Sequence, residues 1–166
     1  AEMTSLSDGA RRQGKKICLV PTMGALHEGH LALIRQGRKQ GDFLVASLFV
    51  NPTQFNRRED FEKYPRHLSE DLKKCEQEGV DVVFTPDENE IYPPGEMLPD
   101  IPLPKVAGPL EGRSRPGHFR GIANVVARFF EIVRPHTAIF GMKDYQQLRV
   151  IQTLVRDLDF PCQVVA

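Results

Sequence analysis

The sequence predicts an α/β fold: a Rossmann-like, doubly wound parallel sheet of about five strands with helices on both faces. Three observations predict it. Five short runs are dominated by apolar residues with no polar alternation, as strands covered on both faces are. Most of them are separated by stretches whose apolar residues recur at helical spacing. Strand and helix therefore alternate, and right-handed crossovers then place helices on both sides of one sheet.

Taken in order, ICLV at 17–20 is the first strand and FLVASLFV at 43–50 the second. VDVVF at 80–84, TAIF at 137–140 and QVV at 163–165 supply three more. The intervening helices are expected over 29–40 with Leu31, Leu33 and Ile34 inward, and over 66–78 with Leu68, Leu72 and Cys75 inward. A third, 118–133, carries a stripe of Ile122, Val125, Val126, Phe129 and Val133. A fourth, 144–158, carries Leu148, Ile151, Val155 and Leu158. Residues 86–117 break the pattern, holding eight of the 13 prolines with little periodicity. An irregular excursion of that length inside a compact domain is usually functional.

Length and composition narrow the class. With 166 residues, 1–166 reads as one domain large enough to bury a core without disulfide or metal staples. The 22 Lys+Arg balance 22 Asp+Glu, which argues against a nucleic-acid partner bound by general phosphate neutralisation. The longest mostly apolar stretch is Phe43–Val50, broken only by Ser47 and far short of a membrane span, and the first 16 residues lack the apolar stretch of a signal peptide. Cys18, Cys75 and Cys162 form no CxxC pair. The expectation is a reduced, cytoplasmic protein with no membrane partner.

The strongest chemical feature is PTMGALHEGH at 21–30, which follows the first strand and enters the first helix. Open α/β sheets bind ligands at that edge, and a helix N-terminus offers unpaired N–H groups to a phosphate. Gly24 permits a sharp turn, and Gly29 leaves room beside the backbone. His27 and His30 are three apart and can point the same way, as donors of hydrogen bonds or a proton to a triphosphate. Two plainer readings compete: a metal pair and a surface turn. The zinc-protease pattern needs i, i+4 spacing with Glu beside the first His, and His67, His118 and His136 supply no matched third ligand. Gly9–Lys16 imitates a P-loop but precedes a strand and lacks the Ser/Thr, so it is rejected.

The strings PTMGALHEGH, SLFVNPTQF, EDFEKYPR, EGRSRPGHFRG and KDYQQL occur in this order, and together they resemble the pantoate–β-alanine ligase family. HEGH itself resembles the HIGH signature of the wider nucleotidylyltransferase superfamily. The resemblance covers about residues 16–166. It implies an enzyme that forms pantoyl-adenylate and pyrophosphate from ATP and pantoate, then lets β-alanine displace AMP to give pantothenate. It implies ATP as substrate, with Mg²⁺ held mainly by its phosphates, and a homodimer. It also implies a further domain with a serine- and arginine-bearing loop that closes over ATP, so 1–166 is expected to be the N-terminal half without that lid.

Residue by residue, the resemblance makes Met23, Gly24, Ala25, Leu26, His27, Glu28, Gly29 and His30 the first ATP segment. His30 is then the proton donor, with His27 beside it. Gly141, Met142, Lys143 and Asp144 become the second ATP segment, with Lys143 the catalytic cation. Met142 stands where the family usually has Glu, which matters little for backbone contacts. Gln54 is assigned to pantoate and to the β-alanine position, and Gln147 to pantoate. A neutral amide, with an acceptor and two donors, suits a small hydroxy acid. Arg115 is expected to face the site. Simpler roles stay open: Gln54 as a turn amide, Asp144 as a helix cap with Lys143 solvated, Arg113 and Arg120 as solvated loop residues. Glu70 and Asp71 are Mg²⁺ candidates, but a solvated acidic face is the readier reading, and Asp60–Tyr64 is expected only to border the pocket. Two other functions remain: a nucleotidyltransferase of the same superfamily acting on a phosphorylated acceptor, and a non-catalytic nucleotide-binding or dimerisation module.

Overall fold

The computed structural model describes residues 2–166. Its five strands form one all-parallel sheet in the order β3-β2-β1-β4-β5. They are β1 (Ile17–Thr22), β2 (Phe43–Leu48), β3 (Val82–Phe84), β4 (Thr137–Ile139) and β5 (Gln163–Val165). The doubly wound α/β prediction is met, and the chain reverses direction across the sheet between β1 and β4, where such folds open a crevice.

The two faces are sorted by the strand period of two. Ile17 and Leu19 of β1 and Val45 of β2 point into one apolar cluster. Cys18 and Val20, with Leu44 and Ala46, point into the other. The first face is covered by α7 (His118–Val133), whose predicted stripe is buried from Ile122 to Val133. The second is covered by α2 (Glu28–Gln40), which buries Ile34 and Gly37. At Gly37 a Cβ would stand 2.8 Å from Leu44 Cδ1, so glycine sets how closely α2 lies on the sheet.

Several elements differ from expectation. Helix α1 (Glu2–Arg12) has no counterpart in the sequence reading, because its buried face is Met3, Ser7 and Ala10, too small and polar to register as an apolar stripe. β2 ends at Leu48, and β3 starts only at Val82 because the Val80 N–H is drawn back to the Cys75 carbonyl at 3.0 Å. The excursion contains α5 (Glu88–Ile91), α6 (Glu111–Ser114) and a 3₁₀ turn at Lys105–Ala107; α3 (Arg58–Lys63) precedes it. In α8 (Tyr145–Asp157), Leu148, Ile151 and Val155 are inward as expected, but Leu158 lies past the helix end and is exposed.

The sharpest correction is α4 (Leu68–Gln77). Leu68 and Leu72 are exposed at 53% and 41%, whereas Asp71 is 2% exposed and Cys75 fully buried. The helix is rotated from the apolar-face expectation because a carboxylate, not a leucine, has partners inside. No helix among the described residues is long and apolar enough to cross a membrane.

Candidate active site

β1 ends at Thr22, and the next residues reverse in a tight turn. Gly24 at φ +79° and Ala25 at φ +50° are consecutive left-handed residues, a conformation that costs a non-glycine residue energy and needs outside support. Support comes from both sides. Thr22 Oγ1 accepts the Gly24 N–H at 3.2 Å. Asp71 of α4 accepts the Ala25 N–H on Oδ2 and the Leu26 N–H on Oδ1, each at 2.8 Å. Lys74 Nζ, one turn further along α4, donates to the Leu26 carbonyl at 2.7 Å. Asp71 is therefore neither a solvated residue nor a free metal ligand. Among the described residues, no group of three or more His, Cys, Asp or Glu is placed to hold a metal ion.

The turn delivers His27 and His30 to the start of α2. His27 is the N-cap rather than a first-turn residue, and its Nδ1 accepts the Gly29 N–H at 3.1 Å. His30 Nδ1 accepts the His27 N–H at 3.3 Å. Because both Nδ1 atoms are occupied as acceptors, each neutral ring carries its proton on Nε2 and presents it as a donor. The ring centroids are 4.1 Å apart. Burial, then the neighbouring His27, holds the His30 pKa below the usual imidazole value; Asp71 opposes this and Lys143 adds to it. A Cβ at Gly29 would stand 2.9 Å from His27 Cε1, so the glycine makes room for the ring.

The second ligand-edge segment follows β2. Asn51 is 1% exposed, and its amide is fully engaged. Oδ1 accepts from Thr53 N (3.2 Å), Thr53 Oγ1 (2.8 Å) and Tyr92 Oη (2.7 Å). Nδ2 donates to Gln54 Oε1 and to the Gly121 carbonyl, both at 3.0 Å. Gln54 in turn directs Nε2 toward Met23 Sδ at 3.4 Å. This turn can press on α7 only because residue 121 is glycine: a Cβ there would lie 2.5 Å from the Thr53 carbonyl oxygen.

These segments enclose a cavity of about 500 Å³ at the carboxyl edge of the sheet, a size suited to small-molecule ligands. Met23, His27, Gly29, His30, Gln54, Gly141, Met142, Lys143, Asp144 and Gln147 line it. So do Asn51 and Tyr64, and an apolar wall from Phe49 and the Ile122, Val125, Val126 and Phe129 face of α7. That wall was legible only as core. Lys143 and Asp144 sit in a 3₁₀ turn, Met142–Asp144; Asp144 occupies the N-cap of α8 but its side chain makes no capping bond.

Other candidates lie elsewhere. The backbone at Gly24, Ala25 and Leu26 turns toward α4, and Glu28 turns out to pair with Arg35, so these four do not line the cavity. Arg115 does not line it either: its guanidinium meets Glu111 at 3.2 Å and His118 Nε2 at 3.5 Å. Arg120 is paired with Asp100 at 2.7 Å.

The whole chain, residues 1–166, matches the family model described as pantoate-beta-alanine ligase. A pantothenate synthetase of Geobacter sulfurreducens is 53% identical over 165 residues, 99% of this chain and 58% of that protein. Among solved structures, pantothenate synthetase from Thermus thermophilus superposes with a TM-score of 0.91 at 46% identity, covering 98% of this chain and 58% of that one. The pantoate-beta-alanine ligase of Francisella tularensis, complexed with beta-gamma ATP and beta-alanine, gives 0.92 at 42% identity over 98% and 62%. The chain thus spans a little over half the length of the relatives it matches.

Proposed function

The chain belongs to the pantoate-beta-alanine ligase family, and from that premise we propose that it is the ATP- and pantoate-binding domain of an AMP-forming ligase joining pantoate to β-alanine. One observation carries the proposal: His30, Gln54, Lys143 and Gln147, from three separate segments of the chain, border a single cavity at the switch point of the sheet.

In the first step a pantoate carboxylate oxygen attacks the α-phosphorus of ATP, and the bond to the bridging oxygen breaks as pyrophosphate leaves. The Nε2–H groups of His27 and His30 donate to the phosphate oxygens as charge collects there. Lys143 offsets the charge on the α-phosphate. Mg²⁺, when bound, neutralises phosphate charge and takes its oxygens mainly from the nucleotide, since both Asp71 oxygens already accept N–H bonds. Gln54 and Gln147 bind the hydroxyls and carboxylate of pantoate, and the apolar α7 wall suits its paired methyl groups. In the second step the β-alanine amine attacks the acyl carbon beside Gln54, the mixed-anhydride bond breaks, and AMP departs. Neutral amides and an apolar wall favour this reading over a nucleotidyltransferase with a phosphorylated acceptor.

Pantoate-dependent exchange of labelled pyrophosphate into ATP, measured on the full-length protein, tests it. Exchange that needs pantoate is the expected result; exchange indifferent to pantoate ends the reading. A dimer, implied by the family resemblance, is part of the proposal, and a purely monomeric sedimentation profile would remove that part.

A further inference from the structure

His118 is buried at the first turn of α7 and does not line the cavity, yet it holds a residue that does. Its Nδ1 stands 2.8 Å from the main-chain carbonyl oxygen of Gln54. A carbonyl only accepts, so Nδ1 carries the proton and the neutral ring keeps Nε2 as an acceptor. Nε2 meets the donor Arg115 Nη1 at 3.5 Å, with Glu111 Oε2 at 4.0 Å. Burial lowers the ring's pKa; the Gln54 bond opposes this, Arg115 adds to it, and Glu111 and Asp144 oppose it.

The other side-chain ties of this turn, one to α7 and one to the residues just before it, fall on either side of Gln54. Asn51 Nδ2 reaches the Gly121 carbonyl, and Asn56 Nδ2 donates to the Pro116 carbonyl at 2.7 Å. The Gln54 side chain itself has one firm partner, Asn51, and a weak contact to the Met23 sulfur. At the Gln54 main chain itself, the side chain that meets the carbonyl is the imidazole beneath it.

We propose that His118 is a positioning residue: by donating Nδ1–H to the Gln54 carbonyl it fixes the Gln54 amide in the cavity, and through Arg115 and Glu111 it ties that amide to the arginine-bearing segment 111–120. This rests on the reading of Gln54 as a pantoate contact. Small displacements of a binding group are enough to weaken substrate positioning substantially.

The test compares His118→Phe, which keeps a ring without the donor, with His118→Asn, whose amide N–H replaces Nδ1–H. His118→Phe is expected to raise the KM for pantoate about tenfold, the effect of one lost hydrogen bond, while the KM for ATP stays put. His118→Asn is expected to restore most of the loss. Equal rises for both substrates, or an Asn variant no better than Phe, would overturn the proposal. A second readout is independent of activity: the Gln54 side-chain amide resonances, assigned by their loss in Gln54→Ala. They should move in His118→Phe and stay in His118→Asn, and no movement in either defeats the proposal even if the protein proves not to use pantoate. Should the Phe variant fail to fold, His118→Gln, with its donor near Nε2 instead of Nδ1, takes its place.

Discussion

Asp71 Oδ1 accepts the Leu26 N–H at 2.8 Å across 45 residues of sequence, and its other oxygen takes Ala25 at the same distance. A buried carboxylate on α4 thus supports two residues whose turn aims both histidines. Removing it orphans two donors, at roughly 1–3 kcal/mol each when buried. Asp71→Ala should lower unfolding stability by about that much per donor, and Asp71→Asn, which accepts only one, by less. Urea unfolding checks both. A loss under about 0.5 kcal/mol in the Ala variant would mean the turn stands without α4.

His30 can serve the triphosphate in two ways, and substitution separates them. Glutamine places an N–H near the position of Nε2 but cannot give up a proton. If hydrogen bonding carries the effect, His30→Ala should reduce kcat by about 10²–10³-fold and His30→Gln by much less. If a proton must move, the two variants should be equally slow. Steady-state kinetics at saturating ATP decides between them.

Gly29→Ala improves helix propensity by nearly 1 kcal/mol but brings a methyl to 2.9 Å from His27 Cε1. The ring has to swing away, breaking its bond to the residue 29 N–H. Losing that N-cap bond offsets the gain in helix propensity, so thermal stability is expected to change little while adenylation falls. A variant as active as the parent would show that His27 needs no fixed orientation.

Three imidazoles, His30, His118 and His136, have pKa values lowered, burial being the largest cause in each. Their native states favour the neutral ring, so the unfolded chain takes up protons first as the pH drops. Stability from these groups is complete above the ordinary imidazole value of about 6.5 and is lost as the pH falls through the lowered native values. The Tm should therefore fall between about pH 6.5 and 5, before most carboxylates titrate. His118→Asn should flatten that slope. A Tm constant across the window would contradict the lowered pKa values of these rings.

Much of this protein was legible in its residues. Local rules sufficed for the parallel sheet, because a strand covered on both faces must be mostly apolar without polar alternation; ICLV is wholly apolar and FLVASLFV is broken only by Ser47. They also placed His27, His30, Gln54 and Lys143 just beyond strand ends, where a parallel sheet collects its ligands, while Gln147 was singled out by the family resemblance. Helix α1 escaped because a face of Met, Ser and Ala carries little hydropathy.

What tertiary structure decided was the partner of each polar group. Nothing in LSEDLKKC says that the aspartate turns inward and the leucines outward, since that depends on two N–H groups supplied from residues 25 and 26. Nor does RPGHFRG say that its histidine is buried against the Gln54 carbonyl while Arg115 stays with Glu111. Hydropathy is a property of a segment and can be read along the chain. Hydrogen-bond satisfaction belongs to pairs far apart in sequence, and only the folded chain brings those pairs together.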